Sequence, residues 1–287
     1  KGDSHMYQYS TARTNLISAA GTRFVWREAG AEHRGIPVVC FSYLMSTMDD
    51  WDPAVIDGLA CRFHVYLFDN RGVGRSEGQT PSSIEEMAED AFHFLQAMGL
   101  SRIFLLGFSM GGMVAQAFTA AHPEMVEKLI LVGTGPSGTV FRDSYTIPLK
   151  ETTAKAILRH RDPKYYFLFE STPEGKKQAT AFLERLRTRK KDRDMKIRLT
   201  SPVLKAQIQA IRSWFGSRSV DPSVISCPVL IVAGEHDGMI SVSCSHELNR
   251  LIPDSRLLIS EHCGHGALFQ CHERFTADVI SFLDSAE

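Results

Sequence analysis

Arg102-Ile103-Phe104-Leu105-Leu106-Gly107-Phe108-Ser109-Met110-Gly111-Gly112-Met113-Val114-Ala115 is the stretch from which the rest of the chain is read. A short apolar run stops at a Gly-x-Ser-x-Gly turn, and a helix of small residues is predicted to start at once. That order fits a strained strand-to-helix turn. Gly107 and Gly111 remove β-carbons that would clash in so tight a bend, which leaves Ser109 projecting at its tip. Its hydroxyl would then sit over a helix N-terminus, where free N–H groups and the helix dipole favour negative charge. A serine so placed is a candidate nucleophile for a carbonyl.

Outward from this turn, apolar runs alternate with helical patterns. Asn15 to Glu28 alternates around Gly21-Thr22 and predicts an edge hairpin. Ile36–Phe41 and Phe63–Phe68 read as buried strands, the second running into Asp69-Asn70-Arg71-Gly72-Val73-Gly74-Arg75-Ser76. Asp50 or Asp52 is placed to cap a helix with Pro53 in its first turn. A helix is predicted from Ser83 to Met98, ended by Gly99, and further strands over Lys128–Gly133, Cys227–Ala233 and Arg256–Ile259. Helices are expected near Ser241–Leu251 and from His272 to Ser285. The expected fold is therefore α/β, with a mostly parallel, doubly wound sheet of about eight strands. Ligands of such sheets bind beyond the carboxyl ends of the strands, where Ser109 lies.

From 135 to 221 the alternation breaks into charged, helix-forming sequence. This predicts a helical cap inserted in a core of 7–134 and 222–287, with residues 1–6 a probable expression-tag remnant. The basic run Arg185, Arg187, Arg189, Lys190, Lys191, Arg193, Lys196 and Arg198 is interrupted by Asp192 and Asp194 and reads as a solvated helix face.

Composition narrows the function. The chain has 287 residues and a net charge of -1, which favours neither nucleic acid nor an anionic membrane surface. No 18-residue apolar run predicts a membrane span. The six cysteines (Cys40, Cys61, Cys227, Cys244, Cys263, Cys271) are scattered and carry no zinc spacing. They read as reduced, mostly buried thiols, so the expected location is cytoplasmic. No metal or organic cofactor is implied, and the expected partner is a small-molecule substrate.

A serine hydroxyl needs a base, and the base needs an orienting acid. Gly234-Glu235-His236-Asp237 follows one predicted strand, and Glu261-His262-Cys263-Gly264-His265-Gly266 follows the next. Asp237 is assigned as the acid, with Glu235 its rival on the same loop. His265 is assigned as the base over His262. His236, like the losing rivals, is expected to be a solvated loop group.

With these motifs in hand the chain resembles the α/β-hydrolase family, over about Arg13 to Phe282. The resemblance rests on Gly107-Phe108-Ser109-Met110-Gly111-Gly112, Asp69–Ser76, Gly234–Asp237 and Gly264-His265-Gly266. It implies Ser109 as nucleophile, Asp237 as acid and His265 as base, and the elbow is similar to those of enol-lactonases, small esterases and cofactor-free haloperoxidases. Asp69–Ser76 is expected to be a structural loop. The backbone N–H of Met110 is the expected first oxyanion donor. The second should come from the loop after Val38–Phe41, by register the N–H of Leu44.

In that loop family members usually read His-Gly, and here Ser42-Tyr43 stands. Tyr43 carries a β-carbon, so backbone angles open to Gly become costly. Two outcomes are open: hydrolysis of an ester, lactone or thioester of a small, largely apolar acyl compound, or a site altered for other work. The second covers carbon–carbon cleavage, decarboxylation, lyase chemistry and ligand sensing. Tyr43, Met45, Phe108 and Trp214 are the candidate substrate contacts, with Met48 and the Tyr165–Phe169 aromatics beside them.

Overall fold

The computed structural model describes residues 8–139, 149–193 and 201–285. Lys196 and Arg198 of the basic run, and residues 1–6, lie outside them.

The chain opens with a hairpin of β1 (Asn15–Ala19) and β2 (Thr22–Ala29). Ala20 and Gly21 both take positive φ, 48° and 78°, as the twist of a two-residue hairpin turn requires. β3 (Val38–Phe41) is buried along its whole length. α1 (Pro53–Ala60) follows, and Asp52 caps it by accepting the Ala54 N–H at 3.0 Å. Asp50 instead closes a capping box with Thr47 on the 3-10 turn Met48–Asp50. β4 (Val65–Phe68) begins two residues later than the sequence predicts, because the Arg62 and Phe63 N–H groups still bond back to Leu59 O at the end of α1. α2 (Ile84–Ala97), β5 (Ile103–Phe108), α3 (Met110–Ala121) and β6 (Val126–Val132) complete the first half.

Among the described residues, four α-helices lie between β6 and β7 (Val229–Gly234), namely α4 (Leu149–Leu158), α5 (Lys164–Phe167), α6 (Pro173–Leu186) and α7 (Pro202–Gly216), with a 3-10 turn at Pro222–Val224. After β7 come α8 (Val242–Leu251), β8 (Ser255–Ser260), the short α9 (Ala267–Gln270) and α10 (His272–Asp284). No helix among the described residues is long and apolar enough to cross a membrane.

The eight strands form one sheet in the order β1-β2-β4-β3-β5-β6-β7-β8. β2 pairs antiparallel with β1 and β4, and β3 to β8 run parallel. Successive side chains of a strand face opposite ways, so the buried strands split between two cores. In β5, Ile103 and Leu105 join Phe94, Val114 and Phe118 on one face. Phe104, Leu106 and Phe108 join Val55, Leu59 and Val279 on the other. This is why uniformly apolar strands sit between two helical layers.

β4 lies on one side of β3 and β5 on the other, so the winding reverses at β3. Beyond the carboxyl ends of β3 and β5 this leaves a crevice, the place where such sheets bind ligands. Loop 42–48 follows β3 into it and Ser109 follows β5. The Asp69–Ser76 segment braces that loop: Asp69 Oδ1 accepts the Met48 N–H at 2.7 Å, and the Ser76 hydroxyl donates to Asp69 O at 2.7 Å.

The segment between β6 and β7 is joined to the core by buried and part-buried ion pairs and hydrogen bonds, which corrects the solvated reading of the basic run. Arg185 grips Asp52 with two nitrogens, Nε at 2.8 Å and Nη2 at 2.6 Å, and the carboxylate has no exposed surface. Arg189, 5% exposed, donates to Ala12 O at 3.0 Å. Lys164 binds Asp50 at 2.9 Å. Burial alone would lower that ammonium, but Asp50 and Asp162 outweigh it and hold it above its ordinary range. Arg187, Lys190, Lys191 and Arg193 are exposed, as expected. Alternation of charge along the chain does not reveal which cations meet a carboxylate 130 residues away.

The cysteines differ from expectation in one respect. Cys40, Cys244 and Cys263 are buried, Cys227 and Cys271 half-buried and Cys61 exposed. The sulfurs of Cys263 and Cys271 lie 2.6 Å apart, because α9 turns the chain back on itself.

Candidate active site

Ser109 sits between β5 and α3 at φ 55°, ψ −117°, a conformation costly for a residue with a β-carbon. The turn is tight on both sides. A β-carbon on Gly107 would lie 2.4 Å from Gly111 O, and one on Gly111 only 2.1 Å from Phe41 O. The two glycines therefore let α3 start directly against the end of β3. The strained serine is held by its N–H, which donates to Val132 O at 2.9 Å on the neighbouring strand.

The Ser109 hydroxyl lies 2.8 Å from Nε2 of His265, and Nδ1 of His265 lies 2.7 Å from Oδ2 of Asp237. Ser109 is 7% exposed, and the His265 and Asp237 side chains 3% and 0%. The other Asp237 oxygen accepts the N–H groups of Met239 and Ile240 at 2.8 and 2.9 Å. Oδ2 of Asp237 is placed to accept the Nδ1 proton, which leaves the Nε2 lone pair facing the serine. The arrangement is suited to removing the hydroxyl proton.

The rivals lie elsewhere. Glu235 is half-exposed and accepts the His262 N–H at 3.1 Å. His262 is exposed at φ 54°, and His236 hydrogen-bonds Glu170 on the inserted segment. His236 was expected to be a solvated loop group; it is exposed but has this partner, which lies 66 residues away in sequence.

The loop after β3 takes a form that Tyr43 tolerates. Tyr43 itself keeps negative φ, and the left-handed residue is Met45, at φ 61°. The Tyr43 phenol donates to Asp50 O at 3.0 Å, and its ring packs on Phe108 with centroids 4.9 Å apart. Tyr43, Phe108 and Trp214 are buried at 5%, 0% and 1% exposure, whereas Leu44 and Met45 are half-buried. Phe108 also lies against the His265 ring, at 5.1 Å. Trp214 donates its indole N–H to Gly135 O at 3.0 Å. Met110 opens α3, so its N–H has no acceptor inside the helix.

Two glutamines near these loops escaped the sequence reading. Gln207 on α7 is 1% exposed; its Oε1 accepts the Met45 N–H at 3.0 Å, and its Nε2 has no partner among the described residues. It lies on the buried stripe Leu204, Gln207, Ile211, Trp214 of α7, and a polar residue on an apolar stripe was the available signal. Gln270 clamps the segment before His265, accepting the Gly264 N–H at 3.0 Å and donating to His262 O at 2.7 Å. Nothing in its local sequence marks it.

Comparison with known proteins bears on the family and the fold. The family profile described as alpha/beta hydrolase fold matches residues 36–270. A protein of Caulobacter sp. (strain K31), named as a candidate carbamate hydrolase RutD, is 30% identical over 239 residues, spanning 81% of this chain and 85% of its own. A 2-hydroxy-6-oxononadienedioate/2-hydroxy-6-oxononatrienedioate hydrolase of Burkholderia vietnamiensis is 28% identical over 77% of this chain and 76% of its own. Among solved structures, an alpha/beta hydrolase fold protein from Chitinophaga pinensis superposes with a TM-score of 0.88 at 33% identity, covering 97% of this chain and 99% of its own.

Proposed function

The chain belongs to the alpha/beta hydrolase fold family, and from that premise we propose a serine hydrolase that forms an acyl-enzyme at Ser109. Its substrate is an ester, lactone or thioester of a small, largely apolar acyl compound. The observation that carries this reading is the 2.8 Å approach of His265 Nε2 to the Ser109 hydroxyl, with Asp237 behind the ring. His265 takes the serine proton as Ser109 attacks the carbonyl, and Asp237 stabilises the imidazolium that forms. The oxyanion is received by the N–H groups of Met110 and Leu44. His265 then returns the proton to the leaving group, and a water activated by the same imidazole cleaves the acyl-enzyme.

The packing of Tyr43 favours hydrolysis over the lyase, decarboxylase and sensor alternatives. Its phenol is engaged with Asp50 O and Phe108, and the loop keeps negative φ at that position. One second reading has support of its own. The Burkholderia vietnamiensis relative is named as a 2-hydroxy-6-oxononadienedioate hydrolase, which supports the carbon–carbon cleavage reading for this chain.

Fluorophosphonate labelling, combined with a turnover panel, tests both. The panel holds nitrophenyl esters, lactones, thioesters and a 2-hydroxy-6-oxo dienoate. The expected result is labelling of the wild type alone and ester turnover reduced about 10⁴-fold or more in Ser109→Ala. Equal labelling of Ser109→Ala overturns the nucleophile. Labelling without turnover of any activated ester favours the sensor, and turnover of the dienoate alone favours carbon–carbon cleavage.

A further inference from the structure

Glu170, His236 and His262 come from three separate segments. Glu170 follows α5 in the inserted region, His236 precedes Asp237 on the loop after β7, and His262 precedes His265 on the loop after β8. Their nearest ligand atoms all lie within 4.8 Å of one another. Nδ1 of His236 hydrogen-bonds Oε1 of Glu170, and the two imidazole centroids are 6.2 Å apart. The Glu170 side chain is 10% exposed, and its second oxygen accepts the Thr172 hydroxyl at 3.2 Å, which fixes the orientation of the carboxylate. Both histidines are exposed, so the group is open to an ion from solvent.

We propose that Glu170, His236 and His262 bind a divalent transition ion of the zinc class, which ties the inserted helices to both loops that carry Asp237 and His265. The donor set selects the ion. Two imidazoles and one carboxylate suit Zn²⁺ with water in the fourth position, whereas Mg²⁺ and Ca²⁺ take mostly oxygen. Bonds of about 2.0–2.1 Å place tetrahedral donors roughly 3.4 Å apart. The donors, within 4.8 Å of one another, would close to that spacing on binding, and both rings sit at the exposed surface. Glu235, whose Oε2 lies 3.9 Å from Nε2 of His236, is at hand to orient a ring or displace the water.

The ion would reinforce a tie that the backbone already makes. Leu168 O accepts the Gly266 N–H at 2.6 Å, so the segment 168–170 lies directly against the His265 loop. A metal bound by Glu170 would fix this segment in place. It would take no part in the chemistry at Ser109.

The test is calorimetric titration of ZnCl₂ into the full-length, chelator-stripped protein, with MgCl₂ as the control. Wild type is expected to bind one Zn²⁺ at micromolar affinity or better, and Mg²⁺ is expected to give no binding. Three variants, Glu170→Gln, His236→Gln and His262→Asn, should each weaken Zn²⁺ at least tenfold. Asn is chosen at 262 because it tolerates the left-handed backbone there. Zn²⁺ should raise the melting temperature of wild type and leave that of folded His262→Asn unmoved. No binding to wild type below 100 μM ZnCl₂ (about a hundred times the expected dissociation constant) overturns the site. So does equal binding by wild type and all three variants, which would place the ion on other residues.

Discussion

Gln207 Oε1 accepts the backbone N–H of Met45 at 3.0 Å, so an inserted helix grips the loop that follows β3 next to Ser109. The grip falls one residue beyond Leu44, the proposed second oxyanion donor. Met45 is also the residue at positive φ, where the loop turns.

Gln207→Leu removes that acceptor while roughly keeping side-chain volume. The half-buried Met45 N–H is left without this partner, a cost of at most about 1–3 kcal/mol, offset in part because the unpartnered Nε2 leaves too. If the Leu44 N–H receives the oxyanion, kcat for an activated ester should fall about 10- to 100-fold with KM little changed. An unchanged kcat in a folded Gln207→Leu protein would sever the inserted helix from the chemistry.

Asp237 and Glu235 share a loop, and only Asp237 reaches the imidazole. Asp237→Asn is expected to lower kcat by about 10⁴, because the amide no longer holds the required tautomer. Glu235→Gln should leave ester turnover within about threefold, since its half-exposed carboxylate bonds the His262 N–H while Asp237 holds the His265 ring. Comparable losses in both variants would be incompatible with the assigned roles.

The Arg185–Asp52 pair joins α6 to the N-terminus of α1 at zero exposure of the carboxylate. Arg185→Met strands that charge and should cost about 3–5 kcal/mol by urea unfolding. Arg185→Met with Asp52→Asn should regain most of it, because Asn still caps the Ala54 N–H. A double variant no more stable than the single one would argue against a stranded charge as the cause.

His272, at the start of α10, has its pKa lowered from the ordinary 6.5, first by burial and then by the Arg185 charge. The folded protein therefore holds this proton less readily than the unfolded chain. The associated stability is complete above about pH 6.5 and is lost as pH falls through 6.5 toward the lowered value. His272→Gln should flatten this acid limb. Urea midpoints at steps from pH 7.5 to 5.5 give the comparison, and parallel curves for the two proteins would exclude His272 as a contributor.

Much of the site was legible because its parts are local. Gly107, Ser109 and Gly111 lie within five residues, and the geometry they impose depends on the strand and helix joined at that point. The order Ser109, Asp237, His265 follows from loops placed after β5, β7 and β8. The Tyr43 loop was less legible. A phenol in a position expected for Gly signalled a changed shape, but which residue would absorb the left-handed turn depended on packing against Phe108 and Phe269.

The sequence by itself determined the alternation of strands and helices, the bend at Ser109 and the two loops that hold the candidate acid and base. These are properties of neighbouring residues, whose sterics, periodicity and caps act over one turn or one strand. Only the tertiary structure decided that Arg185 and Arg189 bind core groups and do not form a solvated face, that Gln207 and Gln270 hold the loops around Ser109, and that Glu170 meets His236 and His262. Most of these contacts join segments far apart in the chain, 66 residues for Glu170–His236 and 162 for Gln207–Met45, so they form only when packing brings the segments together, and no local pattern records them.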